Sequence, residues 1–503
     1  MNAARAPRIE PDSAPADATR VGRNTAFRAA AQAASAVINV AGMVLLGNHL
    51  SASGYGEYAY FYAWIPLLAG ISDLGAGVIV TREMARDREH ASRMLGDGLI
   101  LRAAVGLVLL LGGAMGASLD PAHAVLVLLV TAAAVLEFGQ DPAVWAFRAR
   151  ERLDLESVLL LVSQFAWLAG IAASVWLGAS LPVLLGVAAA SFLLRTIVGA
   201  VMLARMGLAP RFEFASGRLR ALAAEGWPVG LSLLLVVVYG RVGVFALKHW
   251  STAADVACFN VAYMLSQPFG FLASALSMAA FPAFARLRGG DPRELARPQR
   301  GAVKYQLVVA MPIAAGLLLV ADQIVPLLFK DAAGYDAAVS ALRVTALALP
   351  CVFLNLHARY VLAALGRQRG YLAAVVLGLV ANTIGCALTT RTFGALGAAW
   401  TFVAAEALVL FACQRALPAG LGAGALLGQA WRPLAAVLLM AFAVFEVRGA
   451  GLLAEIAVGA MAYAAGLLLT RALSHEDWAL LRRVFASFRL AGATAVAEGA
   501  RRA

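Results

Sequence analysis

Of the ionisable side chains inside or at the ends of stretches otherwise apolar enough to cross a membrane, eight are the leading candidates for chemistry: Arg28, Arg102, Arg195, Arg241, Asp73, Glu137, His357 and Glu406. Holding such a group at membrane depth costs a few kcal/mol or more, so each is a candidate for function. The arginines are permanently charged donors suited to lining a polar cavity. The carboxylates and the histidine could pair with them or exchange a proton. Depth ranks them: at about 1.5 Å per residue, Arg195 lies roughly 20 Å into its segment and Glu137 is similarly deep. Glu406 is near the centre of its segment. Arg241 lies about 27 Å into its own, close enough to the far end to reach the interface. Arg28 and Asp73 sit near an interface, and Arg102 about two turns in.

Each has a plainer role beside the functional one. Arg195 could pair with Glu137 or Asp73 and lock the first helices together. Arg28 could be a topology signal, and Arg102 could snorkel to the nearer interface. His357 could be a hydrogen-bonded packing residue, with Asn39, Asn355 and Asn382 as interhelical partners. No nucleophile elbow, zinc motif or phosphate-binding loop accompanies them.

The elements that must position these groups follow from composition. The chain is 62% hydrophobic and only 14% charged, against about a quarter charged in soluble domains. This excludes a string of soluble domains and predicts an all-α polytopic membrane protein. Fourteen apolar segments lie near 24–48, 56–80, 95–117, 121–147, 156–178, 181–204, 223–247, 256–284, 303–329, 337–364, 371–390, 394–414, 423–445 and 451–471. Connections as short as Gly178-Ala179-Ser180 imply tight antiparallel hairpins.

An internal echo organises the segments. His49-Leu50-Ser51 closes the first and His249-Trp250-Ser251 the seventh; Tyr58-Ala59-Tyr60 and Phe259-Asn260-Val261-Ala262-Tyr263 open the second and eighth. The expected organisation is a polar tail (1–23), a six-helix lobe (24–204), a linker (205–222), a second six-helix lobe (223–414), two further helices (423–471) and an amphipathic tail (472–503). Six spans per unit would make the lobes parallel repeats. Asp291-Pro292-Arg293-Glu294 has the cap, proline and acid of a helix start and predicts a short connector helix.

Charge placement orients the chain. Of the 41 Lys and Arg residues, 33 fall in the N-terminal tail, the even-numbered loops and the C-terminal tail, counting those at the abutting helix ends, so both termini are expected in the cytoplasm. The +12 net charge is dispersed in short clusters rather than gathered on one face, which argues against nucleic acid. Four scattered cysteines suggest neither disulfide nor metal site, no cleavable signal peptide is visible, and no cofactor is expected. The expected outer connections are too short to hold a glycosyltransferase or polymerase site, so transport is favoured over catalysis.

The stretch Gly54-Tyr55-Gly56-Glu57-Tyr58, then Asp73-Leu74-Gly75 and Thr81-Arg82-Glu83, resembles the start of the polysaccharide-repeat-unit flippases (Wzx-like) of the MOP superfamily. Phe281-Pro282 with Arg286, Leu365-Gly366-Arg367-Gln368-Arg369, Asn382, Gly394-Ala395-Leu396-Gly397-Ala398-Ala399 and Glu406 continue it in order. The resemblance implies a two-lobed, alternating-access bundle in the bacterial inner membrane. It would move undecaprenyl-diphosphate-linked oligosaccharide outward for capsule, O-antigen (lipopolysaccharide) or exopolysaccharide synthesis, beside other polysaccharide-assembly proteins and membrane lipids. Cavity arginines would hold the diphosphate through paired hydrogen bonds. Proton or sodium coupling is left open. One departure is that Tyr239 and Arg241 fit the family's seventh span, but Gly243 stands where an acid is often found. Same-fold alternatives are a multidrug or cation antiporter and a lipid II flippase; a membrane scaffold of a glycan-assembly complex is the non-transport alternative.

Overall fold

A computed structural model describes residues 14–73, 75–287, 292–331, 333–418 and 421–472. Among these residues there are helices and turns but no strands. In chain order the helices are α1 (Ala14–Asp73), α2 (Ala76–Arg86), α3 (Ala91–Leu119), α4 (Ala124–Phe138), α5 (Asp141–Ala149), α6 (Leu153–Trp176) and α7 (Leu181–Arg205). Then come α8 (Ser216–Tyr239), α9 (Val242–Trp250), α10 (Ala253–Ser266), α11 (Gly270–Arg286) and α12 (Pro292–Leu328). The last are α13 (Asp336–Leu347), α14 (Leu349–Ala364), α15 (Gln368–Ala416), α16 (Ala423–Glu446) and α17 (Leu452–Leu469).

By length and hydropathy, eleven of these segments can cross a membrane, or twelve when α13 and α14, bent by 42°, count as one. Two of the twelve are too long for one crossing. At 47 and 49 residues they would span about 70 Å, over twice the hydrocarbon core. Each doubles back at a single residue outside helical geometry, Ser51 (φ 61°) in α1 and Gly394 (φ 51°) in α15. The hydroxyls of Thr389 and Thr401, twelve residues apart, meet at 3.0 Å across the second reversal. Each reversal adds a crossing, which brings the twelve to the fourteen expected from hydropathy.

Several crossings are broken where the sequence looked continuous. α8 and α9 are one crossing interrupted at Gly240-Arg241, and α10 and α11 are one interrupted by a 3-10 turn at Gln267–Phe269. Pro268 cannot donate a backbone hydrogen bond there. The connector helix expected after Asp291-Pro292 is instead the first part of α12, which runs unbroken from Pro292 to Leu328. The polar N-terminal tail is helical from Ala14. The expected C-terminal amphipathic helix lies beyond residue 472, outside the described residues.

We call the side carrying Ser51 and Gly394 the Ser51 face, and the opposite side the terminal face. The largest apolar core fills the Ser51 half and joins α1, α4, α6 and α7 to α9, α10, α12, α13 and α15. Smaller cores elsewhere draw mostly on one group, such as α5–α7 around Phe147 and Leu159, or α11, α12 and α14 around Phe353 and Ala310. The α16–α17 hairpin packs on α12, where Tyr463 donates to the Val308 carbonyl at 2.8 Å and Gln323 to Glu455 at 2.6 Å.

Candidate functional site

The break between α8 and α9 creates the site. α8 ends at Gly240, and Arg241 occupies the N-cap of α9 with φ −114° and ψ −7°. Its backbone N–H bonds the Val238 carbonyl at 2.9 Å. The guanidinium reaches a cavity of about 50 Å³ between the first six crossings and the next six. Among the described residues it has no hydrogen-bond or ion-pair partner.

The first six crossings contribute Asn39, Met43, Leu46, Tyr55, Tyr58, Ala59, Tyr62 and Trp167 to the walls, and the next six Asn260 and Met264 beside Arg241. Residues from both sides of Ser51 line one space because α1 doubles back there. Tyr55, Tyr58 and Tyr62 lie on one helical face and stack in series, with centroids 6.4 and 5.7 Å apart. Asn260 donates to the Tyr55 hydroxyl at 2.8 Å across the seam. The Tyr58 hydroxyl and the Trp167 indole nitrogen are buried without partners. Gly42 is demanded by Trp167, whose ring occupies the place of any Cβ there.

The seam is closed above this cavity. Gly56 packs on the Ala253 carbonyl so closely that no side chain fits. Lys248 pairs with Glu57 at 3.7 Å. The Asn48 side chain donates to the Leu328 carbonyl at 2.8 Å and accepts from the Lys330 N–H at 2.7 Å. Tyr335, stacked on Phe329 at 4.1 Å, donates to the Gly47 carbonyl at 3.2 Å.

The other sequence candidates have different surroundings. Arg102 does not snorkel: it is 3% exposed, bonded to both Asp73 and Asp141, and lies over the Phe138 and Trp145 rings. Arg28 is at the edge, 3.6 Å from Glu156, which Arg148 holds at 2.6 Å. Arg195 is locked to neither Glu137 nor Asp73; its Nε and the Oε2 of Glu137 are both buried without partners. The Glu137 carboxyl is buried and feels the charges of Asp141, Arg195, Arg241 and Arg102. His357 is buried against Gln299 at 3.1 Å and the Phe284 ring, away from the cavity. Glu406 is also remote, taking a 2.8 Å bond from Asn355, which bonds its backbone carbonyl as well.

Sequence reasoning missed three participants. Asp141 was hidden at a span end behind Glu137. The outward signal of the tyrosine face was the spacing 55, 58, 62; Trp167 gave none. The departure at Gly243 acquires a physical reason, because a Cβ there would strike the Phe259 ring.

The fold is that of the MOP-superfamily flippases and transporters. The structure titled "Lipid II flippase MurJ, inward closed conformation" superposes with a TM-score of 0.73 over 88% of this chain and 98% of that one, at 13% identity. A multidrug resistance MATE family transporter of the MOP superfamily matches in an inward-facing state (TM-score 0.60, 17% identity, 78% of this chain and 97% of that one). An outward-facing MATE structure matches comparably (0.58, 15%, 79% and 95%). The class this defines is a multi-pass membrane protein with the fold shared by those flippases and transporters. The sequence model for the family described as "Polysaccharide biosynthesis protein" matches residues 21–288, more than half of the chain, and the chain belongs to that family. The MatE model matches residues 228–388. No curated protein matches the sequence.

Proposed function

We propose that this protein moves a polyprenyl-diphosphate-linked oligosaccharide repeat unit, on an undecaprenyl carrier, from the inner to the outer leaflet of a bacterial inner membrane for polysaccharide biosynthesis. The observation that carries the reading is Arg241, a cation without a counter-ion, held at a helix break in a cavity between two groups of six crossings. A diphosphate and its glycan cannot enter hydrocarbon unaided, whereas the prenyl tail need not leave it. A fixed guanidinium in a polar cavity replaces the water the diphosphate loses.

In this proposal the terminal face is cytoplasmic, supported by the 33 of 41 basic residues assigned to it by sequence. The two groups act as lobes, and the closed Ser51 seam makes the cytoplasmic side the loading side. The test is the sidedness of lipid-linked oligosaccharide in spheroplasts of cells lacking the protein, read with an impermeant glycan-modifying probe. Wild-type protein restores probe access, and Arg241→Gln leaves the unit shielded until the membrane is opened. Wild-type exposure in cells carrying inserted Arg241→Gln protein refutes the assignment.

A further inference from the structure

Two buried polar groups in the cavity, lying against each other, make no well-formed hydrogen bond. Tyr58 is 4% exposed and Trp167 9%, and neither the Tyr58 hydroxyl nor the Trp167 N–H has a partner. Buried tyrosine and tryptophan ordinarily satisfy these groups, and an orphaned buried donor is destabilising. Both side chains line the space that Arg241 lines. The cavity's about 50 Å³ holds water-sized occupants in this state, so a ring enters only when the seam below it widens.

The mix of groups restricts what that ring can be. A diphosphate alone calls for several cations, but the walls offer one guanidinium. The remaining polar groups are neutral and mostly bifunctional: phenol hydroxyls, an indole N–H, and the amides of Asn39 and Asn260. Neutral groups that both donate and accept match a polyhydroxylated ring, while the aromatic carbons beside them match its C–H surface. We infer that Tyr58 and Trp167 hydrogen-bond the sugar joined directly to the diphosphate while Arg241 holds the phosphate, making them specificity-determining residues for the cargo. Sharing one cavity with Arg241 limits their reach to that first sugar. The inference rests on the flippase reading.

The test uses the purified full-length protein in lipid nanodiscs and four probes: undecaprenyl diphosphate, and its glucose, galactose and N-acetylglucosamine conjugates. Affinity is read by native mass spectrometry. Wild type binds the best conjugate about tenfold or more tighter than the bare diphosphate, the worth of one or two neutral hydrogen bonds. Tyr58→Phe and Trp167→Phe each lower that ratio severalfold, because the conjugates lose more affinity than bare undecaprenyl diphosphate does. Both keep an aromatic ring, and a melting temperature close to wild type certifies the fold. A wild-type ratio near one for all three conjugates, or an unchanged ratio in both variants, overturns the inference. Arg241→Gln weakens all four probes together; if it weakens none, the flippase reading itself fails.

Discussion

Replacing Arg102 with alanine strips the counter-ion from two carboxylates at once. The Arg102 side chain is 4% exposed, and those of Asp73 and Asp141 are 20% and 22% exposed. Breaking a buried ion pair by deleting one partner costs about 3–5 kcal/mol, because the remaining charge is left uncompensated. Loss of the guanidinium over Phe138 and Trp145, 5.5 and 5.1 Å from the ring centroids, adds roughly 0.5–2 kcal/mol. Arg241 makes no direct ion pair and acts on Glu137 only from a distance, so Arg241→Gln costs about 1 kcal/mol or less, within the range of an unpaired group. The assay is thermal unfolding of the purified full-length protein in detergent, followed by size-exclusion recovery. Arg102→Ala melts several degrees lower, and Arg241→Gln melts with wild type. Adding Asp73→Asn and Asp141→Asn to the Arg102 variant restores part of the loss, since neutral amides carry no stranded charge. If Arg102→Ala melts with wild type, or Arg241→Gln falls as far, the division into one structural and one cavity arginine is wrong.

Three further outcomes are expected. Gly56→Leu drives a side chain into the Ala253 carbonyl and props the Ser51 seam open, so a cysteine placed at Met43 reacts with an impermeant thiol reagent from that face only in this variant. Gly243→Asp, which restores the acid common in relatives, strikes Phe259 and destabilises by about 1–3 kcal/mol; adding Phe259→Ala recovers inserted protein, measured by membrane yield. Glu455→Ala removes the acceptor for Gln323 and for the Gly449 N–H, costs about 1–3 kcal/mol, and exposes the α16–α17 hairpin to limited proteolysis while glycan export continues.

Hydropathy made the crossings legible because each is a long apolar run, but it carries no backbone information. It could not show that Ser51 and Gly394 each complete a reversal alone, nor that Val236-Val237-Val238-Tyr239 stops helically at Gly240 before Arg241. Depth along a helix was readable and rotation about it was not. Asp73 and Arg102 were both found as intramembrane charges, yet their pairing depends on which way α1 and α3 face each other. Depth matched Arg195 with Glu137, whose side chains instead leave atoms unpaired. The tyrosine face was readable as one stripe, but only the partner helices decide that it meets Arg241.

For the proposed cycle, where the strong interactions lie matters more than how many there are. The Arg102 cluster is buried and sits wholly within the first six crossings, so it stiffens one lobe without opposing motion between lobes. The polar contacts that cross the Ser51 seam are weak singly: a half-exposed Lys248–Glu57 pair worth about 0–1 kcal/mol, and neutral hydrogen bonds at Tyr55, Asn48 and Tyr335 worth about 1 kcal/mol each. At the terminal face Arg82–Glu225 is similarly exposed. The exception is Arg218 on buried Asp97, and it lies beside the linker. There the Arg211 N–H bonds Ser92 at 2.8 Å, and Gly75 packs directly on Gly226 and Gly230. In the proposed cycle a strong contact where backbones meet without side chains is the place suited to a pivot. Swinging a two-state population from 1:99 to 99:1 takes about 5.5 kcal/mol of differential binding. The polar bonds of the clasp lie within that range for a cargo whose diphosphate meets Arg241 in only one of the two states, while the apolar core shared by the two groups in the Ser51 half must trade its contacts for others as the lobes rock.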